Sequence, residues 1–156
     1  MFYPDLFFAF DRRVDYVLIG ALAIVERATT AIDVTVVIAL ENLSSLVQLA
    51  RELGMTPVLP VSLETPADIE QLMQWHRQRN LQAFALRAPG VAGVTLDVFL
   101  NTPADYAQLR ARATTFMAGD VPVVVASIDD LVALKQAVGR SIDLAGIEHL
   151  KRLKAI

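Results

Sequence analysis

Tyr16-Val-Leu-Ile-Gly-Ala-Leu-Ala-Ile-Val-Glu-Arg-Ala-Thr-Thr-Ala-Ile-Asp-Val-Thr-Val-Val-Ile38 is the stretch whose reading decides the fold. An apolar run ends at Gly20-Ala21, and a short connection leads to a second apolar run. A single carboxylate, Asp33, interrupts that second run. Desolvating an unpaired carboxylate costs several kcal/mol, so a buried β-branched strand has no structural use for one. Such a charge belongs at a strand end facing a cleft, or on a metal. Asp97 has the same setting in Gly93-Val-Thr-Leu-Asp-Val-Phe-Leu100. Two strand-borne aspartates and a small-residue turn before a helix make a candidate phosphate and metal site.

The flanking segments read as alternating helices and strands. Pro4 to Arg13 is expected as a short helix with Leu6, Phe7 and Phe10 on one side, and Val14 to Ile19 as a first strand. Gly20-Ala21 opens a helix that runs to around Arg27. Ile32 to Ala39 follows as a second strand, with Val34, Val36 and Ile38 on one face and Asp33, Thr35 and Val37 on the other. Asn42 reads as the N-cap of a helix carrying Leu43, Leu46, Val47 and Ala50 at helical spacing, and Gly54 supplies the stop. Thr56-Pro57-Val58-Leu59-Pro60 is too proline-rich for a central strand.

Thr65-Pro66-Ala67-Asp68 predicts a helix start, with the threonine as cap, proline at the first position and the acid in the first turn. That helix runs to about Arg79, with Ile69, Leu72, Met73 and His76 inward. Leu81 to Ala88 and Val94 to Leu100 form a hairpin around Pro89-Gly90 and Gly93. Thr102-Pro103-Ala104-Asp105 starts another helix by the same capping chemistry. Thr114 to Met117 and Val121 to Ala126 flank Gly119-Asp120, a second hairpin signal. Ser127-Ile-Asp-Asp130 caps a helix through Val138, ended by Gly139, and a last helix covers Ile142 to Lys154. No repeat or linker divides the chain, so residues 1–156 are expected as one α/β domain with a mixed sheet and a helical C-terminus.

Bulk properties narrow the function classes. The chain has 156 residues, 54% apolar and 20% charged, which is a globular and unusually apolar composition rather than a disordered one. Mean hydropathy is +0.46, yet the longest apolar run, Tyr16 to Val25, falls well short of the ~18 residues of a spanning helix. The first residues lack a basic segment and a cleavage site, so no signal peptide is read and a cytoplasmic setting is the default expectation. The surplus apolarity points to a full core and to a homo-oligomer interface. A net charge of −3 argues against general nucleic-acid binding. Cysteine is absent, which excludes disulfides and thiolate metal sites, and His76 and His149 are too few for an all-histidine zinc site.

The order of apolar strand, Gly-small turn, helix, Arg-x-Thr-x-x-Ile-Asp strand and distant Val-Thr-Leu-Asp strand resembles the nucleotidyltransferase fold of the DNA polymerase β superfamily. It is most similar to small bacterial nucleotidyltransferase-like proteins of toxin–antitoxin and abortive-infection systems. The resemblance extends through Ser127-Ile-Asp-Asp-Leu-Val-Ala-Leu-Lys135 and Gly139-Arg-Ser-Ile-Asp-Leu-Ala-Gly-Ile-Glu148 to the C-terminus. It implies an α/β (α+β) nucleotidyltransferase fold, a mixed central sheet flanked by helices.

The resemblance also implies chemistry. The Gly20-Ala21 turn would let backbone amides approach a nucleoside triphosphate, with Arg27, Thr29 and Lys135 as further nucleotide-binding candidates. Asp33 and Asp97 would hold Mg²⁺, whose charge activates an attacking hydroxyl and neutralises the leaving pyrophosphate. Asp33 takes the place of the second aspartate of an Asp-x-Asp pair, and Asp97 that of the third carboxylate. Ala31 stands where the first aspartate of the family stands, and Ala21 replaces a second glycine or small polar residue. Losing a bridging carboxylate removes several kcal/mol of transition-state stabilisation. Asp15 or Glu26 would have to be brought in by the fold to replace it.

Plainer readings stand beside these. Asp33 and Asp97 could be structural, paired to Arg27 or Lys135 at a sheet end. Gly20 could serve close strand–helix packing, Arg27 and Thr29 a solvated loop, and Lys135 a helix surface. Trp75 and His76 read as core or interface. Two functions of different class follow: a Mg²⁺-dependent nucleotidyltransferase, and an inactive binding module, antitoxin-like or nucleotide-sensing, that works with a partner protein.

Overall fold

A computed structural model describes residues 2–20, 31–90, 94–100, 102 and 104–138. Its elements follow the order α1 (Phe2–Phe10), β1 (Tyr16–Leu18), β2 (Ala31–Val36), α2 (Leu40–Glu52), β3 (Thr56–Pro57), a 3₁₀ turn (Thr65–Ala67), α3 (Ile69–Arg79), β4 (Ala83–Arg87), β5 (Thr95–Phe99), α4 (Tyr106–Arg112), β6 (Thr114–Ala118), β7 (Val121–Val125) and α5 (Ile128–Val138). The strands form one seven-stranded mixed sheet in the order β3-β4-β5-β2-β1-β7-β6. β2–β5 and β1–β7 are parallel, and the other neighbours are antiparallel. The helices expected from Gly20 to Arg27 and from Ile142 to Lys154 lie outside the described residues.

Period-two alternation assigns each strand residue to one of two faces. On the first face, Tyr16 and Leu18 of β1, Ile32, Val34 and Val36 of β2, Phe84 and Leu86 of β4, and Leu96 and Val98 of β5 are buried together. Helices α1, α2 and α3 cover them with Leu6 and Phe10, with Leu43, Leu46 and Leu49, and with Leu72. Removing each such side chain from water contributes about 2 kcal/mol. Phe10 and Tyr16 stack with ring centroids 4.7 Å apart, fastening α1 to β1. On the second face, Val17 and Ile19 meet Leu109 of α4, Leu131 of α5 and Ala126 between β7 and α5. Phe99 of β5, on the same face, packs into this cluster beside Tyr106 and Leu109 of α4.

Several expected helix starts are displaced, each for a local reason. Asn42 does not cap α2, which begins at Leu40 after an Ala39 that offers no side-chain cap. Asn42 is instead buried inside the first turn. It donates to the carbonyls of Asp15 (3.1 Å) and Val37 (2.9 Å) and accepts from the Asp15 amide (2.8 Å), tying α2 to the start of β1 and the end of β2. Thr65-Pro66-Ala67 forms a separate 3₁₀ turn, and Asp68 caps α3 by accepting from the Gln71 amide. Asp105 likewise caps α4 in a reciprocal box with Gln108. In both Thr-Pro-Ala-Asp segments the aspartate, one turn later than the threonine, takes the cap. Ser127 does cap α5, its hydroxyl accepting from the Asp130 amide at 3.1 Å. Both hairpins form with the expected strands, and Thr56–Pro57 is confined to the sheet edge.

Candidate functional site

The parallel pairing of β2 with β5 sets Asp33 directly opposite Asp97. Flanking β-branched and leucine residues fix this register, because Ile32, Val34, Leu96 and Val98 must all reach the first-face core. Both aspartates therefore emerge on the second face, where each is half-buried. The same face carries Ala31 opposite Thr95 on one side of the pair and Thr35 opposite Phe99 on the other.

Strand β1 closes the site from the far side. Antiparallel pairing with β2 brings the Ile19 amide to the Asp33 carbonyl at 2.8 Å, and Gly20 follows immediately. A Cβ added to Gly20 would lie 2.3 Å from Asp33 Oδ2 and 2.6 Å from Asp33 Cβ. Only glycine lets the chain turn this close over the carboxylate. Gly20, Asp33 and Asp97, singled out from the sequence, thus come together on one face of the sheet.

Burial pushes the Asp97 carboxyl up from its ordinary value, opposed by hydrogen bonds from the Thr95 hydroxyl and from the Asp33 side chain. Two ionised carboxylates can only accept, so a carboxyl–carboxyl hydrogen bond requires a shared proton. A cation placed between them satisfies the same oxygens without it. Among the described residues no cluster of three or more metal-ligating side chains forms. A pair is nonetheless the protein ligand set suited to Mg²⁺, which keeps several waters and takes its remaining oxygens from substrate phosphates.

The remaining candidates divide clearly. Ala31 lies on the carboxylate face one step from Asp33, so a side chain there would border the site. Asp15 cannot replace it: its carbonyl accepts from the Val37 amide and its backbone is held by Asn42, about 13 Å along β1 from Ile19. Ala21, Glu26, Arg27 and Thr29 lie outside the described residues. Lys135 lies on α5, and its side chain is outside them too. The described ion pairs Arg13–Glu52, Arg51–Glu64 and Arg112–Asp130 lie elsewhere in the fold. Trp75 and His76 sit on α3, over the opposite face, where His76 Nδ1 lies 2.7 Å from the Leu81 carbonyl and anchors the helix end.

An open surface hollow near Thr35, Ile38, Leu100, Tyr106 and Gln108 lies at the other end of β2 and is lined by neither aspartate. One charged residue unmarked by the sequence pattern does share the carboxylate face. Arg87, the last residue of β4, stands opposite Thr95 and is exposed. A basic residue before Pro89-Gly90 reads as a solvated strand end, and only the register sets it beside Asp97.

No family model matches the chain, and no curated protein matches it in sequence. Among the described residues no helix is long and apolar enough to cross a membrane.

Proposed function

We propose that this chain is a nucleotidyltransferase-like protein that binds a Mg²⁺–nucleoside triphosphate at Asp33, Asp97 and Gly20 and transfers a nucleotide to a hydroxyl acceptor. The observation that carries the reading is the in-register pairing of Asp33 with Asp97 beneath the close approach of Gly20. Three segments distant in sequence converge, and each has the residue type that a metal–triphosphate site requires. Asp33 and Asp97 would hold the ion, and the Gly20-Ala21 turn would receive phosphate oxygens on backbone amides. The bound ion supplies Lewis-acid activation of the hydroxyl and neutralises the pyrophosphate leaving group. The nucleotidyltransferase fold itself belongs to this proposal, supported by the strand order and by the sequence resemblance.

A second reading is favoured by one residue. Ala31 presents a methyl group on the carboxylate face, beside Asp33, where an enzyme of this type carries another carboxylate. A chain that binds nucleotide without transferring it, acting through a partner protein, would need no third ligand.

Calorimetric titration of Mg²⁺–ATP and Mg²⁺–GTP into the purified protein, with Asp97→Ala and Ala31→Asp in parallel, separates the readings. Binding that Asp97→Ala abolishes, together with nucleotide transfer to a hydroxyl in a radiolabel assay, supports the enzyme. Binding without transfer, with transfer gained in Ala31→Asp, supports the binding module. Absence of binding in all variants refutes both.

A further inference from the structure

Charge is nearly absent from the sheet. Asp33, Asp97 and Arg87 are the only acidic or basic residues in its seven described strands. All three fall on one face of three adjacent strands, β2, β5 and β4. Arg87 stands opposite Thr95, two residues before Asp97, so Arg87 and Asp97 are diagonal cross-strand neighbours about 7 Å apart. An arginine side chain spans that distance easily.

Arg87 nevertheless makes no ion pair with a described residue. It is exposed and stands on the carboxylate face at the end of β4. The sheet surface between it and Asp97 is low. The other residues of β4 on this face are Ala83 and Ala85, opposite Phe99 and Asp97, and each contributes one methyl group. The aspartate pair is therefore flanked by Gly20 on the β1 side and by Arg87 on the β4 side, with only methyl groups on β4 beside Asp97.

We propose that Arg87 binds a phosphate group beside the aspartate pair, an inference that rests on Asp33 and Asp97 being a metal–nucleotide site. The planar fork of a guanidinium grips phosphate through paired hydrogen bonds, which an ammonium cannot reproduce. The phosphate comes either from the nucleotide's own chain or from a phosphorylated acceptor. The recognition chemistry is the same in both cases.

The test uses the full chain as wild type, Arg87→Ala, Arg87→Lys and Asp97→Asn. Mn²⁺ binding is followed by electron paramagnetic resonance. Calorimetry follows Mg²⁺ with a non-hydrolysable ATP analogue, then inorganic phosphate titrated into the analogue-loaded protein. If the nucleotide supplies the phosphate, Arg87→Ala weakens the analogue at least about tenfold and Arg87→Lys recovers part of the loss. If the acceptor supplies it, analogue affinity is unchanged, while loaded wild type binds phosphate and Arg87→Ala does not. The proposal is overturned, and the metal site survives, if Mn²⁺ binds wild type but not Asp97→Asn and Arg87→Ala changes neither ligand. Failure of wild type to bind Mn²⁺ removes the metal–nucleotide reading and this inference with it.

Discussion

Gly20 and Asp33 approach so closely that a methyl group on the first would lie 2.3 Å from a carboxylate oxygen of the second. Asp33 Cβ would be only 2.6 Å away, and it moves only if its own strand moves. Gly20→Ala therefore forces β1 and β2 apart rather than merely rotating a side chain. Chemical denaturation should show a loss of about 1–3 kcal/mol, and calorimetry a loss of Mg²⁺–ATP binding. Stability within about 0.5 kcal/mol of wild type would refute the close approach.

Ala31→Asp adds a third acid to a face where two already share a hydrogen bond. In chelator the variant should be less stable than wild type by about 1 kcal/mol, the penalty of like charges in cross-strand neighbourhood. Excess Mg²⁺ should more than restore it, because an ion that binds only the folded state adds its binding free energy to stability. Thermal melts with and without Mg²⁺ measure both. An equal melting temperature in the two conditions would show that the added carboxylate does not reach the metal.

Asp130 and Arg112 give a pH signature away from the aspartate pair. The bidentate Arg112 guanidinium, with both contacts at 2.8 Å, holds the Asp130 carboxyl below its ordinary value, and Ser127 assists. A carboxyl depressed in the fold stabilises it above the unfolded value, and that contribution is lost as pH falls through the folded value. Asp130→Asn should lower stability at neutral pH by about 1 kcal/mol at most, because solvent screens the half-exposed Arg112. The gap to wild type should stay level down to about pH 5 and close below it. A gap that persists unchanged in acid would assign the loss to packing instead.

Asn42→Ala removes three hydrogen bonds to the main chain of Asp15 and Val37. The orphaned groups are part-buried, so a loss of about 1–3 kcal/mol is expected in equilibrium unfolding. Asn42→Asp keeps the acceptor but neither donor, and should fall between the alanine variant and wild type. An aspartate as stable as wild type would mean that the two donations carry nothing.

The alternation of apolar residues made most strands legible, and the same alternation exposed Asp33 and Asp97, whose charges break runs with no other use for them. Turn residues marked both hairpins. What stayed hidden depends on register and on distant partners. Asn42 carries the signature of a helix cap, but its ligands include Asp15, far back along the chain, and no local pattern reports them. The two Thr-Pro-Ala-Asp segments each hold two capping side chains, and which one wins depends on where the helix packs. Arg87 looks like any solvated strand end until pairing sets it opposite Thr95. Within the site, pattern identifies the acids; only three-dimensional neighbourhood identifies the cation.

β1 is three residues long, yet it joins the two halves of the sheet, pairing with β2 on one side and with β7 on the other. Its β7 partner is held through Leu18 opposite Val125 and through the Tyr16 hydroxyl, which accepts from the Val124 amide at 3.1 Å. On a ribosome adding about 5–20 residues per second, β7 emerges roughly 5–20 s after β1. For that interval one edge of Tyr16-Val17-Leu18 has no strand to pair with. The sheet is thus completed across β1 only when synthesis reaches the second hairpin.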